Sequence, residues 1–517
     1  MNLLELLMEG ALRDPGKTAV IDRGVELSFR NLLRASKGLA SLLADATRRH
    51  AVGIFLPTCK EFMISYMAAL MAEKTALPLN ILMSPEDIDF VTSDAKLDTI
   101  VTSRRFLKVI DREEAILAAA PNVICLEDVA GTRWKKVKLL ARGMLFRPRS
   151  VEEDRIATLL YTSGTTGRPK GVCLTHRNMV SNIQACLAAV EVTPDDVVAQ
   201  MLPLFHTLAL TVTMGVPLTT GCTSIAIPRF EPDGILDIVE RHSCTLLVAI
   251  PSMYRVLVRA QRQKPRDVSS LRCAISGGEP LPAELRDDFE DVFGLQLLEG
   301  YGLTETSPVV SVNRAGANRP GSVGPPLEGV KVRIVDDEDV PLAADKIGEI
   351  QVKGPSVMSA YYERPEETAE VFAPDGWLRT GDMGRIDDDG YIWITGRKKE
   401  MIIVGGENVF PAEIEDVLLR HPAVAEVGVI GISDERRGEC PKAFVVLAEG
   451  EEADARELLR FAREKLPSYK APREVEFRSE LPKAPTGKVM RRLLREAPKE
   501  DGLPGEGAGP LPKKTPE

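Results

Sequence analysis

Positive charge is in short supply in this 517-residue chain: 66 Lys/Arg stand against 76 Asp/Glu, a formal net charge of −10. Phosphate-backbone recognition needs a basic face and none stands out, so nucleic acid is not an expected partner. Closely spaced cysteines are missing as well. The eight (Cys59, Cys125, Cys173, Cys186, Cys222, Cys244, Cys273 and Cys440) never come nearer to one another than 13 residues. That spacing excludes a CxxC metal or redox pair and a dense disulfide framework, leaving reduced, mostly buried thiols as the expectation. The opening MNLLELLMEG places acids where a secretion signal carries Lys or Arg ahead of its apolar run, and a cytoplasmic address is expected. Only one long stretch lacks Asp, Glu, Lys and Arg altogether, the 28 residues Met201–Pro228. It is long enough to cross a bilayer. Pro203, Pro217, Gly215, Gly221 and six threonines interrupt it, so it reads as buried core or the wall of a ligand pocket.

What is present fits a globular protein of more than one domain. Hydrophobic residues make up 44% and charged residues 27%, close to the average for soluble chains. The length exceeds what one core usually organises, so a large domain and at least one smaller one are expected. Residues 397–495 hold 19 Lys/Arg and 18 Asp/Glu, which leaves the acidity to the rest of the chain and makes the C-terminal part locally more basic.

Residues 1–396 alternate strand-like apolar runs with amphipathic helical ones and show no fixed-period repeat, the pattern of an α/β domain. Ala157–Tyr161 is a short apolar run that stops at a Gly/Thr-rich loop. Met179, Ile183, Leu187 and Val190 follow at helical spacing after a capping-type Asn178. From 329 to 396 short alternating segments such as Val330/Val332/Ile334 and Ile350/Val352, split by Asp/Gly turns, predict a β-rich subdomain closing the large domain. After Arg397 a compact α+β pattern predicts a small domain: a helix opened by Pro411, strands near 425–431 and 442–448, and a helix near 454–466. Residues 497–517 hold five Pro and four Gly with hardly any apolar bulk, too little to offset the entropy of ordering, so a disordered tail is expected. The expected domains are therefore 1–396, a hinge at 397–399, 400–495, and a tail at 496–517.

The most informative segment is YTSGTTGRPKG, Tyr161 to Gly171. Its glycines, among them Gly164 and Gly167, permit close approach of backbone amides to oxygens. Hydroxyls at Thr162, Ser163, Thr165 and Thr166 can donate to phosphate, and Lys170 supplies a cation. It is not a Walker A loop, since Pro169 precedes the lysine and Gly171 follows it. The segment resembles the phosphate-binding loop of the acyl-adenylate-forming superfamily, which includes acyl-CoA synthetases, carrier-protein-loading adenylation domains and luciferases. Other landmarks follow in that family's order over roughly residues 1–495.

Pro203–His206 opens the uncharged stretch. A lone histidine on an apolar segment is more often a core residue, but with the resemblance His206 is expected at the mouth of an acyl pocket. Ser276-Gly277-Gly278-Glu279 and Glu299-Gly300-Tyr301-Gly302-Leu303-Thr304-Glu305 read as Gly-rich turns after strands. Glycines beside Tyr301 suit a flat adenine slot, and Glu305 offers the hard oxygen that Mg²⁺ prefers when shared with phosphates. The resemblance implies that Thr304 meets the AMP phosphate and Glu305 holds the metal. Asp382 and Arg397 resemble the family's ribose-holding pair, Lys399 its hinge, and Gly405 and Gly406 the border of a pantetheine tunnel. Lys488, in APTGKV, resembles the lysine that bridges the attacking carboxylate and the α-phosphate. Lys470 and Arg473 loosely resemble the contacts to the nucleotide of coenzyme A.

The fold implied is a large α/β domain with a β-rich subdomain and a small mobile α+β domain. The function implied is ATP- and Mg²⁺-dependent activation of a medium- or long-chain fatty acid to acyl-AMP, followed by transfer to coenzyme A. An aromatic acid, a carrier-protein acceptor and a catalytically silent nucleotide-binding protein stay open as alternatives, and so does a homodimer.

Overall fold

The computed structural model of the chain describes residues 1–162, 168–434, 436–482 and 489–496. It separates into two compact units. The first is Met1–Val332 with Val352–Arg379, and the second is Arg333–Gln351 with the chain from Thr380 onward.

The first unit carries two large sheets. One runs in the order Val309–Val312, Leu297–Gly302, Cys273–Ser276, Leu246–Ala249, Val197–Gln200, Thr223–Ala226, Thr18–Asp22, Val25–Ser28. Its central pairs are parallel and its two outermost pairs antiparallel. The strands Val197–Gln200, Leu246–Ala249 and Cys273–Ser276 are nearly continuous buried apolar runs, as expected where helices cover both faces of a parallel sheet. The other sheet joins Ala360–Tyr361, Lys170–Thr175, Ile156–Thr162, Thr75–Pro78, Ala51–Phe55, Thr99–Thr102 and Asn122–Cys125. The helix Lys60–Met71 is buried almost all round, from Phe62 to Met71, and lies within the main core cluster.

The strand–loop–strand–helix order after Ala157 is present as Ile156–Thr162, Lys170–Thr175 and the helix His176–Ala189. Its cap differs from the expectation. Thr175, not Asn178, is the N-cap: Thr175 Oγ1 accepts from Asn178 N at 3.1 Å and Asn178 Oδ1 accepts from Thr175 N at 2.8 Å, a reciprocal capping box. Asn178 also donates to the Pro355 and Val357 carbonyls, each at 2.8 Å. A second difference concerns Glu299–Gly302, read as a turn. These residues finish the strand Leu297–Gly302, because Gly300 and Gly302 let Val309–Val312 approach; a Cβ on Gly302 would lie 2.0 Å from the Pro308 carbonyl oxygen.

The uncharged stretch folds into a π-helix, Ala209–Gly215, continued by the helix Val216–Thr220, and both are buried. Three of its threonines are satisfied inside the helix: Thr213, Thr219 and Thr220 donate to the carbonyls of Ala209, Gly215 and Val216 at 2.8 to 2.9 Å. No helix among the described residues is long and apolar enough to cross a membrane.

The second unit holds antiparallel strands Leu378–Ile386 and Ile392–Arg397, in register Asp382 to Arg397. A further sheet is built on the long pair Val424–Asp434 and Gly438–Leu447, with Ile402–Val404, Glu407–Val409 and Glu474–Phe477 beside it. The helices Pro411–Leu419 and Ala455–Lys465 bury Ile414, Leu418, Leu458 and Ala462 against that sheet. The helix expected to open at Pro411 and the strands expected near 425–431 and 442–448 are all found.

Candidate active site

In the first unit, Thr162 and Lys170 stand opposite each other where two antiparallel strands end. Ser163, Gly164, Thr165, Thr166 and Gly167, between them in sequence, lie outside the described residues, as does Lys488. The ammonium of Lys170 sits 5.3 Å from the centroid of the Tyr361 ring, within reach of a cation–π attraction. Tyr361 is carried there by the short strand Ala360–Tyr361, which pairs with Lys170–Thr175. Its hydroxyl donates to Glu305 Oε1 at 2.9 Å. Burial, reinforced by the Glu305 charge, raises the phenol above its ordinary range, so it stays a proton donor.

Thr304 and Glu305 occupy a single 3₁₀ turn, Thr304–Thr306, directly after the strand Leu297–Gly302. The turn and the residues just after it are held from three sides. Asn182, on the helix His176–Ala189, donates to the Val309 carbonyl at 2.7 Å, Thr211 on the π-helix donates to the Ser307 carbonyl at 2.9 Å, and Met358 N donates to the Glu305 carbonyl at 2.7 Å. A carboxylate fixed through one oxygen by a phenol, on a turn whose backbone is pinned, is preorganised for a hard cation; Glu305 therefore fits Mg²⁺, which keeps most of its waters and shares phosphate oxygens.

Gly277, Gly278, Gly300, Tyr301 and Gly302 come together in the lining of an apolar cavity of about 950 Å³, its opening to solvent included. Gly278 has φ +86°, which only glycine adopts without strain, and it turns the chain out of the strand Cys273–Ser276. Leu208, Val212 and Val216 line one wall from the π-helix and its continuation. Cys186, Val190 and Cys273 line it too. Burial pushes the Cys186 thiol up to about 12 and the Cys273 thiol to about 11, so both are protonated wall rather than nucleophiles. Directly behind Cys273, Arg272 donates to buried Asp196 at 2.6 and 2.8 Å, and Thr245 donates to the same carboxylate at 2.6 Å.

His206 is not among the cavity-lining residues. Its ring packs on Phe205 with centroids 4.6 Å apart, and burial lowers its imidazole to about 4, so it is neutral at neutral pH. Glu279 lies just past the cavity glycines, with its carboxylate accepting from Ser252 N at 3.4 Å.

The second unit brings Asp382 and Arg397 together in an ion pair of 2.6 Å, with the Asp382 side chain buried. Lys399 lies in the 3₁₀ turn Lys398–Glu400 that follows. Gly405 and Gly406, at φ +63° and +91°, form the two-residue turn between Ile402–Val404 and Glu407–Val409, and a Cβ on either would meet nothing within 4 Å. Lys470 donates to Glu413 at 2.7 Å and Arg473 pairs with Asp434. Both cations are thus engaged with carboxylates. Arg491 was not anticipated: it bridges Glu400 and Glu415 at 2.6 Å each, tying the residues just after Lys488 to the turn that carries Lys399. Nothing in RRLLRE marks it in the sequence. Tyr361 was equally silent, since its role depends on a strand pairing with Val172, far away in sequence, that neither motif nor spacing signals.

The AMP-binding enzyme family matches residues 7–362, and the AMP-binding enzyme C-terminal domain matches 413–488. The long-chain-fatty-acid–CoA ligase of Bacillus subtilis (strain 168) is 37% identical over 96% of this chain and 95% of its own length. The feruloyl-CoA synthase of an Amycolatopsis species is 36% identical over 94% and 96%. The crystal structure of ATP-bound MatB from Rhodopseudomonas palustris superposes with a TM-score of 0.86 at 32% identity, covering 96% and 99%. The chain belongs to the AMP-binding, acyl-adenylate-forming enzyme family. Within it, the chain is an acyl-CoA synthetase, an acid–thiol ligase.

Proposed function

We propose that this acyl-CoA synthetase activates a straight-chain fatty acid of medium to long chain. The observation that carries this reading is the course of the cavity. Its lining includes residues along the strand that starts at Cys273 and exits at Gly277. An extended strand advances about 3.3 Å per residue over three backbone bonds, so these four steps span about 13 Å, the length of roughly ten extended methylenes. The walls between are Val, Leu, Ile and Cys, and burying each methylene there contributes about 0.8 kcal/mol. The Bacillus relative's name supports a fatty acid and the Amycolatopsis relative's an aromatic one; an apolar lining that follows a strand favours the first.

In the first half-reaction the carboxylate attacks the α-phosphorus of ATP in line and pyrophosphate leaves. Thr162, Lys170 and the 163–167 loop hold phosphate oxygens, Thr304 holds the AMP phosphate, and Lys488 meets the charge developing on the reacting oxygens, a contribution of about 3–5 kcal/mol by analogy with other preorganised groups. Asp382 accepts from the ribose hydroxyls, with Arg397 holding its carboxylate in place. Mg²⁺ held by Glu305 would neutralise phosphate charge. In the second half-reaction the second unit turns about Lys399, and the coenzyme A thiol, entering past Gly405 and Gly406, attacks the acyl carbonyl and displaces AMP. Lys470 and Arg473 exchange Glu413 and Asp434 for the phosphates of coenzyme A.

The test is pyrophosphate release and acyl-CoA formation across straight-chain acids of increasing length, with ferulate and benzoates alongside and Lys488→Ala as control. Activity rising with chain length and peaking near the chain that fills the cavity supports the reading. A preference for the aromatic acids overturns it.

A further inference from the structure

The helix Arg133–Leu145 carries an apolar stripe on the side turned away from the protein. Trp134 is 84% exposed, Met144 70% and Leu145 85%, with Val137 and Leu140 also exposed. At 3.6 residues per turn these five side chains fall within an arc of about 140°. The opposite face is the one that docks. Gly143 and Leu139 press on Gly38 of the helix Phe29–Ala46, so closely that a Cβ on Gly143 would lie 2.6 Å from Gly38 N, and Arg142 pairs with Asp45 of the same helix. The helix is therefore held by a glycine contact that fixes which side faces out, and its apolar side faces water. Thr132 caps its start by accepting from Lys135 N.

Charge says what the stripe meets. Residues 129–151 contain Arg133, Lys135, Lys136, Lys138, Arg142, Arg147 and Arg149 and no Asp or Glu, in a chain of net charge −10. Asp45 offsets Arg142, and Glu73 lies 3.8 Å from Arg149. Lys136 borders the stripe on one edge and Lys138 on the other, and Arg133 lies within it at the first position of the helix; such long side chains can keep their charges at headgroup level while the apolar stems lie flat. Lysine is depleted in protein–protein interfaces, whereas Trp and Leu flanked by Lys/Arg is the composition of a helix that lies in a membrane surface.

We propose that the helix Arg133–Leu145 docks this enzyme on the surface of an anionic phospholipid bilayer, with Trp134, Met144 and Leu145 seated among the acyl chains. The enzyme does not span the bilayer; it rests on it. This holds whichever acid the cavity accepts.

The experiment is flotation of the full chain with phosphatidylcholine vesicles, with and without phosphatidylglycerol, at low and high salt. Binding to the phosphatidylglycerol vesicles that weakens with salt is expected, with a blue shift of tryptophan emission that Trp134→Phe abolishes. Lys135→Gln/Lys136→Gln/Lys138→Gln should weaken partitioning about a hundredfold, near fivefold per charge. Met144→Ser/Leu145→Ser should weaken it at least about tenfold. Pyrophosphate release from a soluble acid, unchanged in both variants, shows that they are folded. Absence of vesicle binding, equal binding by the variants, or a dimer in analytical ultracentrifugation that Leu145→Ser dissolves without any vesicle binding overturns the proposal.

Discussion

The hydroxyl of Tyr361 donates to Oε1 of Glu305 at 2.9 Å while its ring lies 5.3 Å from the Lys170 ammonium. One side chain thus meets both Lys170 and Glu305. Tyr361→Phe keeps the ring and deletes only the donor. A hydrogen bond to a charged group contributes about 1.5–3 kcal/mol, so kcat/KM for ATP–pyrophosphate exchange should fall by roughly ten- to a hundredfold. The loss should be accompanied by a higher Mg²⁺ requirement in a metal titration; an unchanged Mg²⁺ dependence would mean that Glu305 does not serve the metal.

Cys273 lines the cavity at the start of the strand whose exit carries Gly277, with the Asp196–Arg272 pair beside it. Cys273→Phe fills that part. Overpacking costs about 1–3 kcal/mol, so kcat/KM should drop about five- to a hundredfold for acids long enough to reach it and stay level for shorter ones. A uniform drop across the acid series would place the tail elsewhere.

Asp196 supplies a pH-dependent element of stability. Burial alone would raise its carboxyl, but hydrogen bonds from Arg272, Thr245 and the Thr193 amide outweigh that and hold it at about 2. The folded value lies below the unfolded one near 3.9, so the stabilisation is fully present above about pH 4 and is lost as pH falls through about 2. Its size is roughly 2 kcal/mol. Asp196→Asn should therefore unfold at lower denaturant than the parent at pH 7, and the difference should shrink steadily in acid. A gap that stays constant with pH would assign the effect to packing.

Lys399 sits in a 3₁₀ turn between a strand of one sheet and a strand of the next. Lys399→Pro fixes φ at about −65° and so restricts rotation there. Pyrophosphate exchange should persist within a few-fold while acyl-CoA formation falls about tenfold or more. Equal loss of both half-reactions would count against the two-step use of the second unit.

Much of this was readable before any coordinates. Ala157–Tyr161 announced a strand by its apolar run and Pro411 a helix start, because each depends on a few adjacent residues. The helix cap at Thr175 and the strand Glu299–Gly302 were misread for one reason: local polarity and glycine content look alike in a turn and in a strand that must admit a close neighbour. His206 illustrates the same limit, since its neighbour Phe205 and not the cavity claims its ring.

By itself the order of residues determined the chemistry on offer: hydroxyls and a lysine at 161–171, a carboxylate at 305, an Asp and an Arg fifteen positions apart, a late lysine at 488. Only the tertiary structure decided that Tyr361 holds Glu305, that residues from several strands and a π-helix line one apolar pocket, and that a glycine contact turns Trp134 and Leu145 outward. Backbone propensity acts over a few residues, whereas depth, pairing and facing are set by which distant segments pack together.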